Sequence, residues 1–278
     1  MTEISADLVR KLRDATNVSM MECKRALVEA AGDMEKANRI LRERGLAVAT
    51  KKASRAANQG LIATATSADG KIASLIEVNC ETDFVARNEN FQAFARMLAE
   101  KACATDTALA DLVKDQVTAK VVEIGENIVV KRNVRFVLQG PGLLASYIHL
   151  GGKVGVLVEL GCEKVETAAQ DAFRELAKDM TLHVAACSPK YLKSVDVKES
   201  EIATEREIYA KQVQDKPAAV VQKIVEGKLK KYFAEVCLLD QPFVKEPKIS
   251  VSGLLAEKGK ALADTLSIRR YLRYQLGE

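Results

Sequence analysis

The chain contains an internal repeat, and this repeat restricts its possible folds more than any other feature. Residues 60–80 (GLIATATSADGKIASLIEVNC) match residues 142–162 (GLLASYIHLGGKVGVLVELGC) at a constant offset of 82 residues. The register continues into the next segment, where Phe91 aligns with Phe173 and Ala95 with Ala177. A repeat kept in register over this length predicts two similar structural units.

Each copy has the pattern of a β-hairpin followed by a helix. The predicted turns, at residues 67–70 and 150–152, are rich in residue types that accept a positive φ. The following helices carry large apolar residues on one face, namely Phe91, Phe94 and Leu98 in the first copy and Phe173, Leu176 and Met180 in the second. Copy one then continues through a turn at Gly125 into a further strand. The fold class is therefore α+β, with core subdomains at 60–140 and 141–253.

The amino-terminal segment, residues 1–50, has the pattern of three short helices. Ser19 and Glu22 form a capping box at the second helix, and Gly45 is expected to end the third. Three helices of this size predict a compact bundle like a ubiquitin-associated domain, whose usual use is to bind a partner. Because two adjacent methionines at a helix start cannot both face inward, one of Met20 and Met21 is expected at the surface. Residues 51–59, which are small, basic and polar, predict a linker.

The second copy is followed by two amphipathic segments separated by a break at residues 215–217. They predict an antiparallel helical hairpin of the coiled-coil type at about residues 197–236. The hairpin either packs on its own core or forms a homodimer contact. Residues 254–278 are expected to form a helical carboxy-terminal module, in which Arg269, Arg270 and Arg273 alternate with Tyr271 and Tyr274. That pattern is compatible with an RNA contact, a protein contact or a solvated helix face.

The two copies differ at the junction between strand and helix. Copy one has Glu81-Thr82-Asp83-Phe84-Val85 there, whereas copy two has residues 163–167 (EKVET). Because copy two lacks Asp83 and Phe84, the architecture does not require them. In one interpretation, Thr82 or Asp83 caps a helix and Phe84 is an aromatic residue of the core. In the other interpretation, the apolar ring of Phe84 and the carboxylate of Asp83 form a wedge that contacts a partner.

Composition narrows the possible functions. A net charge of +4 over 278 residues argues against a dedicated nucleic-acid binder. Six widely spaced cysteines and two histidines favour buried reduced thiols, and we expect no metal and no cofactor. No phosphate loop, nucleophile elbow or paired Glu/His motif is present, which lowers the odds of an enzyme. No apolar run could span a bilayer, and the first residues do not resemble a signal peptide, so a cytoplasmic protein is expected.

Several motifs together resemble the elongation factor Ts family over nearly the whole chain. They are residues 20–27 (MMECKRAL), 78–88 (VNCETDFVARN), 124–128 (IGENI), 183–186 (HVAA) and 241–243 (QPF). The resemblance implies a guanine-nucleotide exchange factor, not a catalytic enzyme, that binds the GDP form of the GTPase elongation factor Tu. It also implies partner contacts in three groups: Thr82, Asp83, Phe84 and Val85 at the magnesium and GDP site; Arg13, Met20, Met21 and Lys24 in the amino-terminal domain; and Ile124, Tyr147, His149 and Val244 on another face.

Two departures and two alternatives accompany this resemblance. Lys245 stands where an apolar residue is common in the family, so the contact at Val244 is expected to be weaker. The chain stops at Glu278, and the terminal helix by which some relatives touch the partner is expected to be missing. One alternative is an RNA-binding accessory protein that uses Lys51, Lys52, Arg55 and the terminal Arg/Tyr segment. The other is an enzyme that uses Asp83 with His149.

Overall fold

The computed structural model describes residues 4–16, 18–213 and 217–278. Asn17, Gln214 and two residues of the predicted break, Asp215 and Lys216, lie outside the described residues, as do the first three of the chain. None of the helices within the described ranges is long and apolar enough to cross a membrane.

The amino-terminal segment forms the predicted three helices, α1 (Ala6–Thr16), α2 (Met20–Glu29) and α3 (Met34–Lys52). The side chain of Ser19 accepts a hydrogen bond from the backbone N–H of Glu22, and Asp33 caps α3 by accepting from Lys36. Gly32 follows α2 at a φ of +89°, which a side chain would resist. The helices enclose a small core of Val9, Leu12, Cys23, Ala26, Leu27, Ala30, Ala37 and Leu41.

The first repeat forms a three-stranded antiparallel sheet with helices packed on it. Its elements are β1 (Gln59–Thr66), β2 (Ile72–Cys80), α4 (Asp83–Arg87), α5 (Glu89–Ala104), α6 (Leu109–Leu112), α7 (Lys114–Ile124) and β3 (Val129–Val137). The strand order is β1-β2-β3. Phe91, Phe94 and Leu98 of α5 are buried against the sheet, as the sequence predicts.

The second repeat has the same plan, interrupted by insertions. Its elements are β4 (Gly142–His149), β5 (Val154–Gly161), α8 (Val165–Ala168), α9 (Asp171–Cys187), α10 (Glu199–Lys211), α11 (Ala218–Val236), β6 (Pro242–Phe243), β7 (Glu246–Ser250), α12 (Val251–Leu262) and β8 (Ser267–Gln275). The main sheet has the order β4-β5-β8, and β6 pairs with β7. The predicted repeat of hairpin and helix is therefore confirmed in both copies.

The predicted carboxy-terminal helix is wrong beyond residue 262. The helix α12 ends before Ala263, whose φ is +51°, and residues 267–275 form β8, the third strand of the second sheet. The physical reason is the carboxylate of Glu159, which is fully buried on β5. Arg270 on β8 donates to it at 2.6 Å and Arg269 at 3.3 Å, so the arginines neutralise a buried charge instead of forming a solvated helix face.

The expected end of α3 at Gly45 is also wrong. Gly45 is buried within the helix, and a Cβ there would lie 3.2 Å from the side chain of Val122 on α7. The glycine thus permits close packing of two helices and does not serve as a cap. The helix continues to Lys52, so the first two residues of the predicted linker are helical, and its last residue, Gln59, begins β1.

The two sheets pack against each other through equivalent contacts. One small core contains Ala73, Phe136, Leu144 and Leu157, with residues from both subdomains. The guanidinium of Arg132 on β3 lies 4.2 Å from the ring centroid of Tyr274 on β8, and that of Arg270 lies 4.0 Å from the ring centroid of Phe136. Each arginine also pairs with the buried glutamate of its own sheet, Glu77 or Glu159. The repeat therefore extends to the interface between its two copies.

The helices α10 and α11 pack together as the predicted hairpin. Among its described residues, α10 has no buried side chain, whereas α11 buries Leu229, Tyr232 and Val236 at its base. The carboxylate of Glu201 accepts hydrogen bonds from the hydroxyls of Tyr191 and Tyr232, which fixes the hairpin to the core. A homodimer contact through this hairpin stays a prediction.

Candidate functional site

The tip between β2 and α5 presents one large apolar side chain to solvent. Thr82 caps the short helix α4 with its hydroxyl, which accepts a hydrogen bond from the backbone N–H of Val85 at 3.3 Å. The following turn of helix directs Phe84 outward, where its exposed fraction is 81%. Val85 faces the opposite way and packs on the core of the first subdomain. The interpretation of Phe84 as a core aromatic is therefore wrong.

A carboxylate behind the tip fixes its backbone. Oε2 of Glu126 accepts the backbone N–H groups of Glu81 and Thr82, both at 3.0 Å. Oε1 of the same residue accepts the hydroxyl of Thr82 at 2.6 Å. These three hydrogen bonds leave the base of α4 little freedom to move. Phe84 is consequently held by a rigid support although it packs against little itself.

The charged neighbour of Phe84 is paired within the tip. The carboxylate of Asp83 lies 2.9 Å from the guanidinium of Arg87, one helical turn later. Both side chains are substantially exposed, so the pair contributes little to stability and can be exchanged for other partners. The tip thus offers an apolar ring beside a carboxylate that is free to take a new counter-charge.

The second copy of the repeat has an equivalent tip that lacks Asp83 and Phe84. Val165 and Glu166 stand at the positions of Asp83 and Phe84 and are likewise exposed. Asp264 supplies the carboxylate there and accepts the backbone N–H groups of Glu163 and Lys164, both at 3.1 Å. The scaffold is the same in both copies, whereas the projecting aromatic ring is specific to copy one.

The amino-terminal candidates are exposed side chains on the first two helices of the bundle. Met20 and Met21 have exposed fractions of 43% and 63%, so both methionines, and not only one, face solvent. Arg13 and Lys24 are exposed as well. Flexible thioether side chains beside positive charges suit contact with an acidic, partly apolar protein surface.

The third group of candidates does not form a single cluster. The hydroxyl of Tyr147 lies 2.9 Å from Nδ1 of His149, at the end of β4. Ile124 is half-buried against the core of the first subdomain. Val244 lies in the β6–β7 turn, 42% exposed. Its backbone N–H donates to Nδ1 of the buried His183 at 3.1 Å.

The thiols are those of structural cysteines. Five of the six are buried, and Cys187 is partly so. Burial raises the pKa of the Cys80 thiol to about 12, which makes it a poor nucleophile near neutral pH. Within the described ranges, no three His, Cys, Asp or Glu side chains are arranged to hold a metal ion.

Two residues of this surface were missed in the sequence. Glu126 acts on a turn 45 positions away, and only its place directly after the left-handed Gly125 marks it as unusual. Leu150 is 66% exposed at a φ of +49° in the β4–β5 turn. The signal that could have found it is a large apolar residue directly before two glycines, where polar residues are usual.

Fold and tip together define a class of protein: a two-repeat α+β scaffold with a rigidly supported apolar side chain exposed at one tip. The comparisons with known proteins agree. The family model described as elongation factor TS matches residues 81–278. The chain is 43% identical to elongation factor Ts of Nitratidesulfovibrio vulgaris strain DP4 over 99% of this chain and 96% of that protein. It is also 43% identical to elongation factor Ts of Clostridium perfringens strain SM101, over 99% and 93% respectively.

The chain belongs to the elongation factor Ts family. Membership of this family implies a nucleotide-exchange role in the elongation stage of protein biosynthesis.

Proposed function

We propose that this cytoplasmic protein binds the GDP form of the GTPase elongation factor Tu and accelerates the release of GDP. The observation that carries the proposal is Phe84, an aromatic side chain 81% exposed on a tip that Glu126 holds rigid. Burying such a ring against a partner contributes roughly 1.5–3 kcal/mol, which corresponds to about one to two orders of magnitude in affinity. That amount is enough to alter how a GTPase holds its nucleotide.

The mechanism needs no catalytic group. A GTPase holds GDP and Mg²⁺ through a phosphate loop and a metal clamp. A partner that inserts Phe84 and Asp83 beside the clamp stabilises a distorted form of it, and this weakens GDP binding. By reciprocity, GDP weakens the binding of the exchange factor by the same factor. The protein therefore accelerates exchange in both directions, and net loading follows from the excess of GTP.

The other candidates supply affinity in this proposal. Arg13, Met20, Met21 and Lys24 grip the nucleotide-binding domain of the GTPase, and their exposure on the bundle supports that use. Ile124, Tyr147, His149 and Val244 meet another domain of the partner.

The experiment measures the release of a fluorescent GDP from elongation factor Tu after this protein is added. Phe84→Ala and Asp83→Ala are compared with the wild type, and Val165→Ala, at the equivalent tip of copy two, is the matched control. We expect rapid release with the wild type and the control, and at least tenfold slower release with Phe84→Ala at saturating concentrations. Equal rates with all four proteins would reject the wedge, and no acceleration by the wild type would reject the function.

The RNA-binding alternative loses its main support. Arg269 and Arg270 neutralise the buried Glu159 and donate to backbone carbonyls, so they are used by the scaffold. The alternative predicts an affinity that falls steeply with salt, whereas contacts made by an apolar wedge depend on salt much less.

A further inference from the structure

A second apolar tip lies beside the first and comes from the other subdomain. Leu150, in the β4–β5 turn, is 66% exposed. Together with Phe84 it lines a groove of about 760 Å³. The groove runs between the two tips, and the rest of its lining is mostly polar or charged, with Gln59, Glu81, Thr82, Asp83, Arg87, Gln92 and Lys153. Its two most exposed apolar residues thus face one shared space.

The turn that carries Leu150 is held rigidly. The backbone N–H of Ile62 on β1 donates to the carbonyl of Gly152 at 2.7 Å, which ties the turn to the first subdomain. A Cβ on Gly152 would lie 2.8 Å from Cβ of Leu61, so the two chain segments are in direct contact. Leu150 is therefore fixed relative to Phe84, although the two residues belong to different copies of the repeat.

The backbone at Leu150 is unfavourable for a leucine. Its φ of +49° lies in the left-handed region, where glycine or asparagine is the usual choice. A large apolar side chain that is both exposed and strained brings no benefit to the isolated fold. A contact outside the chain would explain it.

We propose that Leu150 is a second anchor for the GTPase, and that the same partner covers both Leu150 and Phe84 and spans the groove between them. This inference rests on the proposed function. It assigns different tasks to the two tips: Phe84 disturbs the nucleotide site, whereas Leu150 adds affinity for the complex. The groove adjoins the surface around Phe84, so a GTPase that covers Phe84 also extends over the groove. This continuity supports the GTPase as the partner of Leu150.

The test separates stability, affinity and maximal rate. Leu150→Gly removes the side chain and relieves the backbone, so we expect a melting temperature equal to or above that of the wild type. Leu150→Asn is a second variant that tolerates the same φ with a more restricted backbone. Both are expected to bind elongation factor Tu about tenfold more weakly, because burying a leucine side chain is worth at least that factor.

The kinetic result distinguishes Leu150 from Phe84. At saturating concentrations, both Leu150 variants should release fluorescent GDP at the wild-type rate, whereas Phe84→Ala should remain slow. Wild-type affinity in both Leu150 variants, with Phe84→Ala still defective, would overturn this inference and leave the proposed function intact. A lower maximal rate at unchanged affinity would overturn it too, since Leu150 would then act through Phe84. Failure of the wild type to accelerate release would overturn the proposed function itself.

Discussion

Glu126 and Asp264 hold equivalent turns in the two copies of the repeat. Each carboxylate accepts the two consecutive backbone N–H groups that follow the second strand of its sheet, at 3.0 Å for Glu126 and 3.1 Å for Asp264. Only the turn held by Glu126 carries an exposed aromatic ring. The pair is therefore a built-in control that separates support of the fold from support of the site.

The first prediction uses this pair. Glu126→Gln should slow GDP release by roughly tenfold, because an amide cannot accept all three hydrogen bonds and the rigidity of the Phe84 tip is lost. Asp264→Asn removes the same kind of support from the other copy. It should lower the melting temperature and change the release rate by less than about twofold. Release of fluorescent GDP and thermal unfolding measure the two effects, and equal slowing by both variants would contradict the assignment.

The second prediction concerns the contribution of Asp264 to stability at acidic pH. A hydrogen bond from the Thr167 hydroxyl, with further bonds from backbone N–H groups, lowers the pKa of Asp264 from 3.8 to about 2. The unfolded state then takes up the proton first, so this contribution to stability is complete above about pH 4 and is lost as the pH falls toward 2. Urea unfolding of the wild type and of Asp264→Asn over this range should give curves that converge at low pH. A constant difference between them would refute the assignment.

The repeat made much of the fold predictable, but two elements depended on contacts that no local pattern reveals. The strand β8 completes the second sheet only after the helical hairpin, so the constant offset of the repeat does not reach it. Its arginines and tyrosines are also spaced in a way that a helix face permits. The buried carboxylate of Glu159 favours a strand over a helix in this segment, and it lies more than a hundred residues earlier in the chain.

The site was predictable to a similar degree. Phe84 was found because the repeat offers an equivalent position without it. Glu126 and Leu150 were missed because their roles depend on segments that are distant in sequence. Glu126 accepts a hydrogen bond from the backbone of Thr82. The turn that carries Leu150 is fixed by the hydrogen bond between the carbonyl of Gly152 and β1.

The third prediction tests why β8 is a strand. Arg270→Ala leaves the fully buried carboxylate of Glu159 with the longer contact to Arg269 as its remaining ion pair, beside one hydrogen bond from the backbone N–H of Gln139. We expect the free energy of unfolding to fall by about 3 kcal/mol, because an under-compensated buried charge is costly. Adding Glu159→Gln to this variant removes the charge and should restore more than half of the loss. Urea unfolding of the two variants gives the comparison, and no recovery in the double variant would mean that lost packing on Phe136 causes the effect.

The fourth prediction concerns His183, which is buried beneath the β6–β7 turn. Its Nδ1 accepts the backbone N–H of Val244 at 3.1 Å, and its Nε2 lies 3.0 Å from Oε1 of Gln241. This arrangement requires a neutral ring that carries its proton on Nε2. Burial lowers the pKa of His183 below 6.5. The unfolded state therefore binds the proton first, and stability is lost as the pH falls below about 6.5.

His183→Asn is the matched variant, because its side-chain oxygen can still accept the N–H of Val244 while the residue does not titrate. The free energy of unfolding of the wild type should fall between about pH 7.5 and about pH 5.5, whereas that of the variant should change less over the same interval. Because His183 fixes the backbone of Val244, the affinity of the wild type for elongation factor Tu should decline more steeply over this interval than that of the variant. A wild-type stability independent of pH in this interval would show that the buried ring is not held neutral.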